Sequence, residues 1–189
     1  MLTAVRVGGT IGWMYRSIVL LRGINLGKRQ LKMDRLRELC HQIGATDVLT
    51  YIQSGNVVLR HPSLFGEALE VVLCQTISEG TGMDVPVIVR SVDELEDLVA
   101  HNPFPDSEGT KLVVWFLARR GDSELVEVFD AAPFAPERMV VHGRDVYLSL
   151  PEGQARSALL AALSKVRPVI GYTARNWNTV VKLAATAQE

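Results

Sequence analysis

Cysteine is scarce in this chain, aromatic residues are few, and no apolar run is long. Two cysteines among 189 residues, Cys40 and Cys74, exclude a disulfide-stapled scaffold. Both fall on apolar helical stripes, which predicts buried thiols in a reducing compartment. Charges or glycines interrupt each apolar run before the ~18 residues that a bilayer-spanning helix needs, so no membrane partner is expected. Neither sign of charge is in excess: 20 Lys+Arg stand against 21 Asp+Glu, and the pI is 6.4. Wholesale coating of nucleic acid is not expected at that balance, while a localised anion site remains open. Metal-ligand spacing is lacking too. His41, His61, His101 and His142 are scattered, no C-x-x-C or H-x₃-H pair occurs, and Cys40 and His41 are adjacent and point to different helix faces. No metal and no cofactor is expected.

What is present is an apolar content of 48%, enough to build a core and incompatible with a disordered tail. A cytosolic, cytoplasmic globular protein is the expectation. The neutral total hides a segregation of charge: residues 15–45 carry a net +5, residues 62–110 a net −9, and residues 151–189 a net +3. Such asymmetry creates local fields on a neutral molecule.

Residues 1–14 hold three glycines and one charge without a clear period. They read as an extension, disordered or preceding the natural start at Met14. From Tyr15 the pattern is regular. Ser17 to Leu21 reads as a strand, Leu31 to Ile43 as an amphipathic helix, and Asp47 to Gln53 as a strand. Ser54-Gly55-Asn56 reads as a tight turn, Val57 to Arg60 as the returning strand, Leu64 to Ile77 as a helix and Val85 to Val89 as an apolar strand. The order β-α-β-β-α-β is that of a ferredoxin-like split βαβ unit. After a helix at Val92 to His101 and a proline-broken connector at 102–109, the order restarts. Lys111 to Leu117 is a strand, Ser123 to Asp130 a helix, Met139 to His142 and Asp145 to Leu150 a hairpin, and Gln154 to Val166 a helix. The expected fold class is α+β, with two ferredoxin-like halves, 15–101 and 110–189, and an additional C-terminal helix in place of a last strand.

That final helix is expected to be capped by Thr173, with Trp177, Val180, Val181 and Ala184 on its apolar stripe. Arg175, Asn178, Thr179 and Lys182 then gather opposite. Arg175 in the first turn opposes the helix dipole, a conflict that a bound anion would relieve. Two turn segments add polar density. Arg22 to Gly27 carries two glycines and Asn25, with Lys28, Arg29 and Lys32 following; it is not a phosphate-binding P-loop string. Tyr51 to Asn56 offers a phenol, two amides and the Ser54 hydroxyl, and alternation places Tyr51 and Gln53 on the face of Leu49. No nucleophile–base pair and no lipase-type G-x-S-x-G string accompanies them.

The strings Arg22 to Asn25 (RGIN), Tyr51 to Val58 (YIQSGNVV), Pro86 to Arg90 (PVIVR), Asn102 to Phe104 (NPF) and Ala174 to Leu183 (ARNWNTVVKL) resemble the bacterial domain of unknown function 1697 family. The resemblance runs from about Tyr15 to Leu183. Lys28 stands where family members often have a further glycine. The resemblance implies a compact α+β protein built on ferredoxin-like units, and it implies no activity.

The functional expectation is a binding module for a small phosphate-bearing, nucleotide-like ligand. Arg22, Asn25, Tyr51, Gln53, Ser54, Asn56, Arg175, Asn178 and Lys182 are expected to share one surface. The alternatives are an enzyme using Arg22 and Arg175 as electrostatic clamps, and a self-assembling protein whose acidic 62–110 segment meets basic segments of another copy. Nucleic acid is a weaker partner, because the aromatic strings that stack RNA on such sheets are missing.

Overall fold

The computed structural model describes residues 2–7, 10–27, 30–119, 129–166 and 171–189. The chain divides into two compact units, residues 1–97 with 183–189, and residues 98–182. The boundary lies at residue 98, where sequence placed it at a 102–109 connector, and the last seven residues group with the first unit.

The first unit has the order β1 (Leu2–Val7), β2 (Thr10–Leu21), α1 (Met33–Gln42), β3 (Thr46–Tyr51), β4 (Asn56–His61), α2 (Gly66–Thr81) and β5 (Val87–Ser91). All strand pairs are antiparallel. β2 is central: β4 runs along one side, while β1 and β5 share the other, β1 on its first half and β5 on its second. β3 pairs with β4 and forms the edge. The path β5-β2-β4-β3 with its two helices is the expected ferredoxin-like unit.

Residues 1–14 need correction. Leu2–Val7 pairs with the start of β2, Leu2 opposite Tyr15 through Val7 opposite Thr10, so this stretch extends the sheet. Thr3, Val5, Val7, Thr10 and Ile11 supply β-branched propensity, which a search for strict alternation passes over.

Alternation along β2 and β4 sends Val19, Leu21, Val57 and Leu59 into a core with Leu36, Leu39 and Cys40 of α1 and Leu69, Leu73 and Ile77 of α2. α2 stops at Gly82, whose φ of 69° is the left-handed cap; its N–H donates to the Ser78 carbonyl at 2.8 Å. α3 (Val92–Ala100) begins with a capping box. The Glu94 N–H donates to Ser91 Oγ at 3.0 Å, and the Ser91 N–H donates to the Glu94 carboxylate at 2.8 Å.

The second unit contains β6 (Leu112–Leu117), β7 (Arg138–His142), β8 (Asp145–Ser149), α4 (Ala158–Val166), β9 (Tyr172–Asn176) and the start of α5 (Trp177–Thr186). Its sheet order is β7-β8-β6-β9, antiparallel throughout. The helix expected at Ser123 to Asp130 lies largely outside the described residues. Val113, Trp115, Leu117, Val146, Leu148, Leu159 and Leu163 form this unit's core, where Trp115 stacks on Tyr172 at 4.1 Å. α4 starts later than expected, after a one-turn helix at Gln154–Arg156. The Leu160 N–H donates to Ser157 Oγ, and the Leu159 N–H to the buried Glu137 carboxylate at 2.7 Å.

The absence of a last strand is the second correction. Tyr172–Asn176 is β9, hydrogen-bonded to β6 with Arg175 opposite Val114. Helix-compatible residues such as Ala174 and Arg175 are drawn into extended backbone by an unpaired edge of β6, a tertiary override of local propensity. No described helix is long and apolar enough to cross a membrane.

Candidate functional site

The hairpin between β3 and β4 is longer than the sequence suggested. β3 ends at Tyr51, and residues 52–55 form the turn, with Ile52 at φ 48° and Gly55 at φ 73°. Gln53 therefore leaves the strand and does not share the face of Leu49. The turn is clamped to β2, because the Leu21 N–H donates to the Gly55 carbonyl at 2.8 Å. Asn25 holds it from the other side. Its carboxamide donates to the Gln53 carbonyl at 2.6 Å and to the Leu31 carbonyl at 3.1 Å, and accepts from the Leu31 N–H at 2.8 Å. Asn25 itself sits at φ 56°, a left-handed conformation that asparagine tolerates better than most residues.

Asn56 is fully buried and donates to the Tyr51 carbonyl at 3.1 Å and to Ser54 Oγ at 2.9 Å. Asn25 and Asn56 thus hold the backbone of the turn, and Ser54 accepts from the Asn56 carboxamide. Buried polar groups such as the Asn56 carboxamide are hydrogen-bonded in folded proteins. Arg22 is half-buried, and its backbone N–H donates to the Pro86 carbonyl at 2.9 Å.

Gln53 alone of the predicted set lines a cleft of about 370 Å³ between the turn and the start of α1, together with Lys32, Met33, Asp34, Arg37, Thr50 and Ile52. Lys32 is the N-cap residue of α1 and makes no side-chain capping hydrogen bond; the first intrahelical bond runs from the Leu36 N–H to the Lys32 carbonyl. The first-turn amides and the positive end of the helix dipole therefore add to the Lys32 charge. Arg37 is held in place by Asp34, three residues before it on α1, and by Thr50 Oγ1 on β3. Sequence reasoning missed Arg37 and Thr50. No local spacing reports them, because the Arg37–Thr50 contact links α1 to β3.

Arg175, Asn178 and Lys182 belong to the second unit and do not share one helix face. Arg175 is on β9, buried, and donates to Thr173 Oγ1 at 2.8 Å and to the Ala174 carbonyl at 2.7 Å. Burial pushes its guanidinium down to about 10, which leaves it charged at neutral pH, as guanidinium groups are. Asn176 is the residue that caps α5, accepting the Thr179 N–H at 2.9 Å, so Thr173 does not. On α5, Val180, Leu183 and Ala184 are buried while Val181 is exposed, which shifts the apolar stripe by a residue; Thr179 is buried as well. Asn178 and Lys182 are exposed, and the Asn178 side chain lies over Gly109, where a Cβ would fall 2.0 Å from Oδ1.

Among the described residues no group of three or more histidine, cysteine, aspartate or glutamate side chains is placed to hold a metal ion. Burial pushes the Cys40 thiol up to about 12 and raises that of Cys74, the opposite of what a nucleophilic cysteine requires.

Comparison with known proteins agrees with this architecture. A conserved bacterial protein, SP0830 from Streptococcus pneumoniae, is similar in structure with a TM-score of 0.76 and 22% identity, over 93% of this chain and 99% of that one. At that identity the likeness concerns the fold. No curated protein matches the chain. The model of a family of proteins of unknown function, DUF1697, matches residues 14–147, which includes both the Asn25 loop and the turn at residues 52–55, and the chain therefore belongs to that family.

Proposed function

We propose that the chain is a binding protein for a small phosphate-bearing ligand of nucleotide size, held in the cleft at the start of α1. One observation carries this reading: Lys32, Arg37, the uncapped first turn of α1 and Gln53 meet around a single cleft of about 370 Å³, within the range of small-ligand sites. Helix N-termini attract phosphate because their amides and dipole act together. Arg37, oriented beforehand by Asp34 and Thr50, loses less freedom on binding than a mobile side chain would. Met33 and Ile52 give the cleft an apolar side for a ring or sugar face.

Binding is favoured over catalysis. The lining residues include no histidine, serine or cysteine, and Asp34, the one carboxylate among them, is paired with Arg37. Calorimetric titration with inorganic phosphate and with nucleoside mono-, di- and triphosphates tests the reading. Arg37→Ala is expected to weaken the best ligand roughly 10- to 100-fold, the effect of one charged hydrogen bond of about 1.5–3 kcal/mol. Arg35→Ala, a partly exposed cation of α1 outside the cleft lining, leaves affinity unchanged. Equal affinity in wild type, Arg37→Ala and Lys32→Ala overturns the assignment.

A further inference from the structure

A second basic feature lies on the other face of the first sheet. Val19 and Leu59 point into the helical core, so alternation turns Arg16 on β2 and Arg60 on β4 away from α1 and α2. The two residues are direct cross-strand partners. Like charges at directly opposed positions destabilise a sheet unless something compensates them. Arg16 is only 8% exposed, and the Nε of each arginine is buried without a hydrogen-bond partner among the described residues. Asp47 reaches Arg60 at 3.4 Å from the bulged edge strand, its own side chain 58% exposed. Arg16 has no such carboxylate in bonding distance among the described residues. Burial first, and then Arg60, lower its proton affinity; Asp47 and Glu189 oppose that shift without cancelling it.

We propose that Arg16 and Arg60 form a second anion site, which takes one phosphate group between the two guanidinium planes. Guanidinium N–H groups match oxyanion geometry in pairs. A phosphate dianion supplies acceptors for both unpartnered Nε–H groups and cancels the repulsion between the arginines. The exposed side is the one that Asp47 borders, so an anion reaches the pair from the β3 edge. This site is separate from the α1 cleft and does not depend on the function assigned there.

The test uses the full chain carrying Arg37→Ala and Lys32→Ala, which takes both cations out of the cleft. Melting is followed in phosphate and in chloride at equal ionic strength. Phosphate is expected to raise Tm by about 2–4 °C in this background, as mass action at several-fold Kd gives for a chain of this size. Adding Arg16→Met abolishes the rise, adding Arg16→Lys reduces it, and adding Glu189→Gln enlarges it by removing a rival carboxylate. Because apolar replacement of a buried cation of similar shape is often tolerated, the Arg16→Met protein is expected to melt in chloride no lower than its parent. Should it fail to fold, Arg60→Met gives the same readout. A phosphate effect undiminished by Arg16→Met or Arg60→Met, or no phosphate effect in the doubly substituted background, overturns the proposal. The first result leaves the cleft assignment untouched, since that rests on the Arg37→Ala affinity alone.

Discussion

Replacing Gly55 with alanine tests whether the turn at residues 52–55 is held by packing as well as by backbone conformation. Gly55 has φ 73°, and a Cβ there would fall 2.6 Å from Leu21 Cβ and 2.7 Å from Ile24 Cδ1. Both neighbours are buried and neither can swing into solvent. Gly82 is the natural comparison: its φ is 69°, yet a Cβ there meets nothing within 4 Å. Both substitutions carry the left-handed penalty of about 1–2 kcal/mol, partly offset by the reduced freedom of the unfolded chain. Gly55→Ala alone adds overpacking of about 1–3 kcal/mol. The expected losses are therefore about 1 kcal/mol for Gly82→Ala and about 2–4 kcal/mol for Gly55→Ala. Urea titrations at 25 °C, with unchanged m-values confirming that compactness is preserved, measure the difference. If the two variants lose the same stability to within about 0.5 kcal/mol, the close approach of Gly55 to Leu21 and Ile24 is not what fixes the turn. Because Asn25 grips the Gln53 carbonyl in this turn, Gly55→Ala is also expected to weaken binding at the α1 cleft, whereas Gly82→Ala is not.

Three further outcomes follow from the geometry. At Gly80 a Cβ would fall 2.5 Å from Leu39 Cδ2, a fully buried atom of the neighbouring helix; Gly80→Ala is expected to cost about 1 kcal/mol net in urea unfolding, despite a helix propensity gain of about 1 kcal/mol. Glu137→Ala leaves the Leu159 N–H without its carboxylate and is expected to lower stability by about 1–3 kcal/mol, with Glu137→Gln intermediate; equal stability of the alanine variant and wild type would show that α4 does not need this cap. Cys40, its thiol held up near 12 by burial, is expected to resist iodoacetamide at pH 8 until the protein unfolds, as read by mass spectrometry. The same shift fixes a sign: the unfolded thiol ionises first, so as pH climbs from the ordinary thiol range towards about 12 this group's stabilisation is lost. Native-state alkylation of Cys40 at the rate of a free thiol contradicts both statements.

Local sequence was enough for most of the scaffold. The three- and four-residue spacing of Leu36, Leu39 and Cys40 and the continuous apolar run at Val87 to Val89 report burial directly, because side-chain period follows backbone geometry. The Ser91–Glu94 capping box is equally local. The ferredoxin-like order of the first unit followed from element order alone, while in the second the last strand was read as helix. What sequence could not supply was decided over long distances. Whether Tyr172 to Asn176 starts a helix or completes a sheet depends on β6 offering an unpaired edge some sixty residues earlier. Whether Asn25 and Asn56 meet a ligand or the backbone depends on which carbonyls stand beside them, and those belong to Leu31, Gln53 and Tyr51. The cationic cleft is decided in the same way, for Arg37 and Thr50 are thirteen residues apart and meet across α1 and β3. Periodicity records which side of an element is apolar; hydrogen bonding and charge pairing depend on which elements become neighbours, and only the folded chain settles that.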